Sequence, residues 1–94
     1  MKLITKEIEV KIPALYSNEG KTSAEVMVTA KFFFPYGLGT WYMTEYDPDT
    51  RTAFGLCDIG FPELGYFNID ELKTNGIERD MHFTPAPLAN FMTE

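Results

Sequence analysis

The chain has 94 residues, with 8 Lys and Arg against 14 Asp and Glu, which gives a formal net charge of −6. This length suits one small core, so we expect residues 1–94 to form a single domain. The negative charge argues against direct binding of nucleic acid, because that affinity depends on clustered Lys and Arg.

The N-terminal segment predicts a short helix. Ile4, Ile8 and Ile12 recur at four-residue spacing and form one apolar stripe. Thr5 is a suitable N-cap, and Pro13 ends the helix.

The apolar period changes to two after a polar loop over residues 16–24, and a period of two is typical of strands. Residues 26–34 predict one half-buried strand, and further strands are predicted over residues 40–46, 52–59 and 64–67. Short loops join them, including the turn over residues 47–50. An antiparallel meander is therefore the economical topology.

The C-terminal third predicts a short helix followed by extended chain. Asn68 is a suitable N-cap for that helix, and Asn75-Gly76 ends it. Residues 77–83 are predicted to be extended, and residues 87–91 to form a closing helical turn. The fold class is α+β, with an antiparallel four-to-five-stranded meander sheet and short helices packed on one face.

The middle of the chain carries the whole charge imbalance. Residues 32–72 hold seven acids and only Arg51, a local charge of −6, together with 11 of the 14 aromatic residues. Acids among exposed rings can complement a basic protein surface, whereas a charge of this size also serves plain solubility. The predicted binding residues are Trp41, Tyr42, Glu45, Tyr46, Asp47, Asp49, Asp58, Phe61 and Glu63.

One segment offers a candidate catalytic group. If the chain is extended there, Glu78, Asp80 and His82 point to one face, where two carboxylates and an imidazole could orient a water. The alternative interpretation is a solvated strand edge or an ion pair that uses Arg79. With one His in the chain, we expect no metal and no cofactor.

Other nucleophiles are weaker candidates. Cys57 stands in an apolar context that suits a core residue. The neighbouring Asp58 would raise the pKa of its thiol, although strand alternation points that carboxylate to the other face. Ser17 and Ser23 lie in a polar loop without the strand-turn-helix setting of a catalytic serine.

The compartment is predicted from what the chain lacks. No stretch approaches the roughly 20 apolar residues that cross a bilayer, and the N-terminus has no signal-peptide core. A lone cysteine fits a reducing compartment. We expect a cytoplasmic protein that does not contact membranes.

Four ordered segments carry a family resemblance: Lys2-Leu3-Ile4-Thr5, Phe54-Gly55-Leu56-Cys57-Asp58, Glu63-Leu64-Gly65-Tyr66-Phe67 and Ile77-Glu78-Arg79-Asp80-Met81-His82-Phe83. Together they resemble the bacterial family numbered 2958 among the domains of unknown function, over nearly the whole chain. The resemblance implies a setting on plasmids and conjugative elements. It implies no mechanism.

Two functions of different class follow as hypotheses. The first is a small acidic, non-enzymatic interaction module, an accessory factor of mobile elements that binds a basic, DNA-handling protein through its acidic and aromatic middle third. The alternative is a small hydrolase-like enzyme that uses Asp80 and His82, assisted by Glu78.

Overall fold

A computed structural model describes residues 1–92 of the chain. In chain order the elements are α1 (Lys6–Lys11), β1 (Met27–Val28), β2 (Ala30–Phe33), β3 (Thr40–Asp47), β4 (Thr52–Asp58), β5 (Pro62–Asn68), α2 (Ile69–Thr74), β6 (Glu78–Arg79), β7 (Ala86–Pro87) and a 3-10 turn (Leu88–Asn90).

The main sheet has five strands in the order β5-β4-β3-β2-β6, and every neighbouring pair is antiparallel. Strands β2 to β5 follow one another in chain order, as a meander does, and β6 is added beside β2. Strands β1 and β7 form a separate antiparallel pair. The predicted α+β class with an antiparallel sheet is confirmed.

Both predicted α-helices are present with the predicted caps. The Thr5 hydroxyl oxygen accepts the Ile8 N–H at 3.2 Å, and the Asn68 side-chain oxygen accepts the Glu71 N–H at 3.1 Å. These bonds satisfy N–H groups that a helix start leaves without an intrahelical partner. Within residues 1–92, no helix has the length and hydropathy needed to cross a membrane.

The strand predicted over residues 26–34 is divided at Thr29. Its N–H donates to the Met43 carbonyl at 2.9 Å, and the chain leaves β1 to enter β2 at this point. The predicted inward residues are nevertheless buried: Val28, Ala30 and Phe32 are at most 3% exposed. The periodicity was correct, but Val28 and Ala30 belong to different apolar clusters.

Two apolar clusters hold the fold together. The first contains Phe32 and Met43 from the sheet with Ile69 and Leu72 from α2, and the Ile4, Ile8 and Ile12 stripe packs against it. The second contains Val26, Val28, Leu56 and Leu88. Since Leu88 belongs to the 3-10 turn, the short helices do not all contribute to the same cluster, and their predicted packing on one face is not confirmed.

The predicted extended segment 77–83 is a strand only over Glu78–Arg79. The Asp80 N–H still donates to the Lys31 carbonyl at 2.9 Å, but the Phe83 N–H then donates back to the Asp80 carbonyl at 3.3 Å. The chain therefore turns after Asp80 because its own backbone groups pair locally.

Candidate functional site

The predicted binding residues lie at two ends of the sheet. In the β3–β4 ladder Thr40 pairs with Asp58, and Asp47 pairs with Thr52 at the other end. Asp47 and Asp49 therefore lie about 20 Å from Asp58, given a rise of about 3.3 Å per strand residue. Phe61 and Glu63 follow Asp58 at the far end, so the nine residues do not form one patch.

Three of the four predicted binding rings contribute to the apolar clusters. Tyr46 is 1% exposed and Trp41 packs against the first cluster. Tyr42 packs against the second cluster and stacks on Phe91 with ring centroids 4.6 Å apart. Only Phe61 projects into solvent, at 66% exposure.

The Asp47 side chain stabilises the β3–β4 turn. One Asp47 carboxylate oxygen accepts the Asp49 N–H at 3.0 Å, and the other accepts the Thr50 hydroxyl at 3.0 Å. This is the usual turn-forming behaviour of Asp, so Asp47 has a structural role in the fold.

Glu45 is buried, at 5% exposure, and holds a loop in place. Its two carboxylate oxygens accept the N–H groups of Tyr16 and Asn18 at 2.7 and 3.0 Å. The β3–β4 register shifts between Met43 and Glu45, and such bulges redirect side chains. The acid that sequence reasoning placed on a binding surface therefore anchors the loop over residues 14–25.

That loop forms one wall of an open groove of about 320 Å³. The groove is lined mainly by apolar and aromatic side chains of the loop, of β4 and β5, and of the C-terminal segment. They include Tyr16, Val26, Phe54, Leu64, Tyr66 and Leu88. A concave, largely apolar surface with a few acids at its border is a candidate recognition site.

Three aromatic rings form the side of the groove next to β5. Tyr66 meets Phe54 edge to face at a centroid distance of 4.9 Å and Tyr16 at 6.4 Å. The Tyr16 hydroxyl beside it raises the pKa of Tyr66. Tyr16 and Tyr66 are 61% and 55% exposed, so both rings offer a face to a partner.

Strand β5 is the outermost strand of the sheet, with β4 on its inner side. Its side chains are mostly exposed, and Leu64 and Tyr66 project on the groove side. An outer strand presents backbone N–H and C=O groups that another extended chain can pair with.

The Asp80 carboxylate makes one hydrogen bond and one ion pair within the protein. One carboxylate oxygen accepts the His82 backbone N–H at 2.9 Å, and the other lies 3.8 Å from the Lys31 amine. Asp80 thus fixes the backbone of His82, and this ion pair uses Lys31 instead of the expected Arg79. Within residues 1–92, no group of three His, Cys, Asp or Glu side chains could hold a metal ion.

Cys57 is half-buried and its thiol is a poor nucleophile. Burial, and then the negative charge of Glu63 opposite it in the β4–β5 ladder, raise the pKa of Cys57 to about 11. Asp58 does not contribute to this shift, and the strand register instead brings Glu63 opposite Cys57. A thiol with this pKa stays protonated at neutral pH.

Sequence reasoning missed the groove residues Tyr16, Leu64 and Tyr66. Tyr16 stands in a polar loop. The position of that loop depends on its hydrogen bonds to the buried Glu45, which the sequence pattern does not predict. Leu64 and Tyr66 did carry a signal, because they alternate on the last strand of the predicted meander, which is an outer strand by topology.

The chain thus has a small α+β fold with an open, largely apolar groove beside β5. Residues 3–94 match the family model described as "Protein of unknown function (DUF2958)", and the chain belongs to that family. No curated protein and no solved structure matches the chain.

Proposed function

We propose that this protein is a small acidic, non-enzymatic interaction module that binds an extended segment of a basic protein. The segment pairs with the outer edge of β5 and places an apolar or aromatic side chain in the groove. The observation that carries this proposal is the coincidence of an open outer strand with a groove lined by exposed rings.

The backbone of β5 supplies the affinity and the groove supplies the selectivity. Strand addition forms main-chain hydrogen bonds, and alternate side chains of the added strand enter neighbouring pockets. Tyr16, Leu64 and Tyr66 form such a pocket with exposed apolar surface. Tyr is among the residues that contribute most to binding energy at protein interfaces.

The charge favours a basic partner. Residues 32–72 carry a net charge of −6, and Glu63 is exposed on β5 itself. Complementary charge accelerates encounter and rejects acidic competitors. A DNA-handling protein of a plasmid or conjugative element is a partner of this chemistry.

The test uses synthetic ten-residue peptides with alternating Lys and apolar residues and one central Trp. We expect salt-sensitive binding by fluorescence anisotropy, with NMR amide shifts along β5. The Tyr66→Ala variant should bind about tenfold or more weakly, the loss of one interface anchor. Tyr36→Ala is the matched control, because Tyr36 is 86% exposed in the loop before β3 and lies outside the groove.

Binding that is equal in the Tyr66→Ala and Tyr36→Ala variants would contradict the proposal. So would a dimer whose NMR amide shifts map to β5, because a second copy of the chain would then occupy that edge. An acidic version of the peptide should not bind.

The hydrolase-like alternative has less support from the geometry. Its acid, Asp80, holds the His82 backbone and the Lys31 amine, and Glu78 lies on the strand before the turn. Activity that is unchanged in a His82→Ala variant would rule out the imidazole as a catalyst.

A further inference from the structure

A second cavity, of about 350 Å³, lies between the N-terminal segment, the β3–β4 turn and α2. Four of the eight Lys and Arg residues of this acidic chain line it: Lys2, Lys6, Arg51 and Lys73. Glu9 also lines it, and Asp70 pairs with Arg51. The cavity therefore gathers four positive charges against two negative charges.

Arg51 is held firmly at the cavity wall. Its backbone is left-handed, with φ of 62°, and is fixed by bonds to the Asp47 carbonyl and from the Ile69 N–H, both at 2.9 Å. Asp70 accepts from the Arg51 Nε at 3.2 Å. The guanidinium also lies beside the Tyr46 hydroxyl, whose pKa it lowers, and its planar fork of N–H donors is suited to an oxyanion.

A buried hydroxyl, that of Tyr46, lies behind the cavity wall next to Arg51. Tyr46 is 1% exposed, and its hydroxyl has no hydrogen-bond partner among residues 1–92. Burial raises the pKa of Tyr46, and the adjacent Arg51, which lines the cavity, lowers it. Since Tyr46 is buried and is not among the lining residues, its hydroxyl bears on the cavity only through the neighbouring Arg51.

We propose that this cavity binds a small multivalent phosphate, such as the di- or triphosphate group of a small molecule. The guanidinium of Arg51 contacts phosphate oxygens, and Lys2, Lys6 and Lys73 balance the remaining charge. The volume lies at the lower end of the range for small-molecule sites, about 300–1,000 Å³. The site shares no lining residue with the β5 groove, so this proposal does not depend on the proposed function.

The probe is inorganic tripolyphosphate, titrated calorimetrically at low and at physiological salt. We expect binding that weakens as salt rises, because exposed lysines supply much of the attraction. Lys6→Gln and Lys73→Gln should each weaken binding about five- to tenfold, the effect of removing one charge at roughly 4 Å in water. Lys11→Gln is the matched control, because Lys11 is an exposed lysine of α1 that lines neither this cavity nor the β5 groove.

The Glu9→Gln variant should change the affinity for tripolyphosphate in the opposite direction to the lysine variants. Glu9 is the one acid among residues 1–92 that lines the cavity, so removing its charge should strengthen binding several-fold, which a general loss of structure cannot do. Equal affinity of the Lys6→Gln, Glu9→Gln and unmodified proteins would overturn the proposal, as would no binding at low salt. Tighter binding of a single-stranded oligonucleotide than of tripolyphosphate would also overturn it, since the ligand would then be a nucleic acid.

Discussion

Strands β4 and β5 are neighbours of equal length, yet they have opposite roles in this molecule. Both contain seven residues, and their ladder pairs every residue from Thr52 and Asn68 to Asp58 and Pro62. Strand β4 has a neighbour on each side and contributes to both apolar clusters, whereas β5 has one neighbour and is mostly exposed. Position in the sheet, more than local sequence, decides which strand is core and which is available to a partner.

The paired glycines Gly55 and Gly65 give the sharpest contrast. A Cβ on Gly55 would lie 1.8 Å from the Tyr42 carbonyl oxygen of β3, whereas a Cβ on Gly65 has no atom within 4 Å. We expect Gly55→Ala to lose more than about 4 kcal/mol of unfolding free energy or to prevent folding, because backbone cannot move aside cheaply.

Gly65→Ala is the matched control, expected to change stability by less than about 1 kcal/mol in either direction. Urea denaturation measures both variants. A Gly55→Ala protein as stable as Gly65→Ala would mean that β4 is not the tightly packed strand described above.

The paired leucines Leu56 and Leu64 test burial at the next position. Leu56 is 2% exposed in the second cluster, and Leu64 is 49% exposed on β5. Leu56→Ala should cost about 3 kcal/mol of unfolding free energy, the usual loss for a buried Leu truncation, and Leu64→Ala less than about 1 kcal/mol.

Thermal and urea unfolding distinguish the two leucine variants. Similar losses would show that the β5 edge is covered in the free protein. Under the proposed function, Leu64→Ala should instead weaken peptide binding while leaving the midpoint of unfolding nearly unchanged.

The smallest expected effect is the change in the pKa of Cys57 when its cross-strand neighbour Glu63 is replaced. The pKa of Cys57 is raised from 9.0 to about 11, so the folded state keeps its proton after the unfolded state has lost it. Stability should therefore fall as pH rises from about 9 to 11, and thiol alkylation should accelerate near pH 11. Glu63→Gln should lower the pKa by less than about 1, since burial is the larger cause.

Alkylation rates against pH measure this pKa in each variant. Asp58→Asn is the control, because Glu63, and not Asp58, contributes to the raised pKa. A larger change in Asp58→Asn than in Glu63→Gln would contradict the register of the β4–β5 ladder.

Patterns that depend on neighbouring residues predicted the fold well. The Thr5 and Asn68 caps, the isoleucine stripe and the alternation from Val26 to Phe32 all depend on short-range geometry, and the structure confirms them. The bend at Thr29 was missed because it depends on a hydrogen bond to Met43, fourteen positions away. The turn after Asp80 was missed because side-chain and backbone groups there pair locally instead of continuing the ladder.

The candidate sites were less predictable than the elements. Charge counts correctly identified an acidic middle third, but they could not show that Glu45 is buried under Tyr16 and Asn18. They also could not show that Lys2 and Lys73, at opposite ends of the chain, line the same cavity as Arg51. Both facts depend on contacts between residues far apart along the chain, and residue counts carry no information about such contacts.

The division of one predicted strand at Thr29 also bears on the order in which the chain assembles. The meander from β2 to β5 joins segments that are close along the chain, whereas the β1–β7 pair joins Met27 to Pro87, sixty positions apart. Closing so long a loop has a high entropic cost, and non-local pairings form slowly. Because segments this far apart along the chain meet beside the β5 groove, we expect the groove to form late in folding.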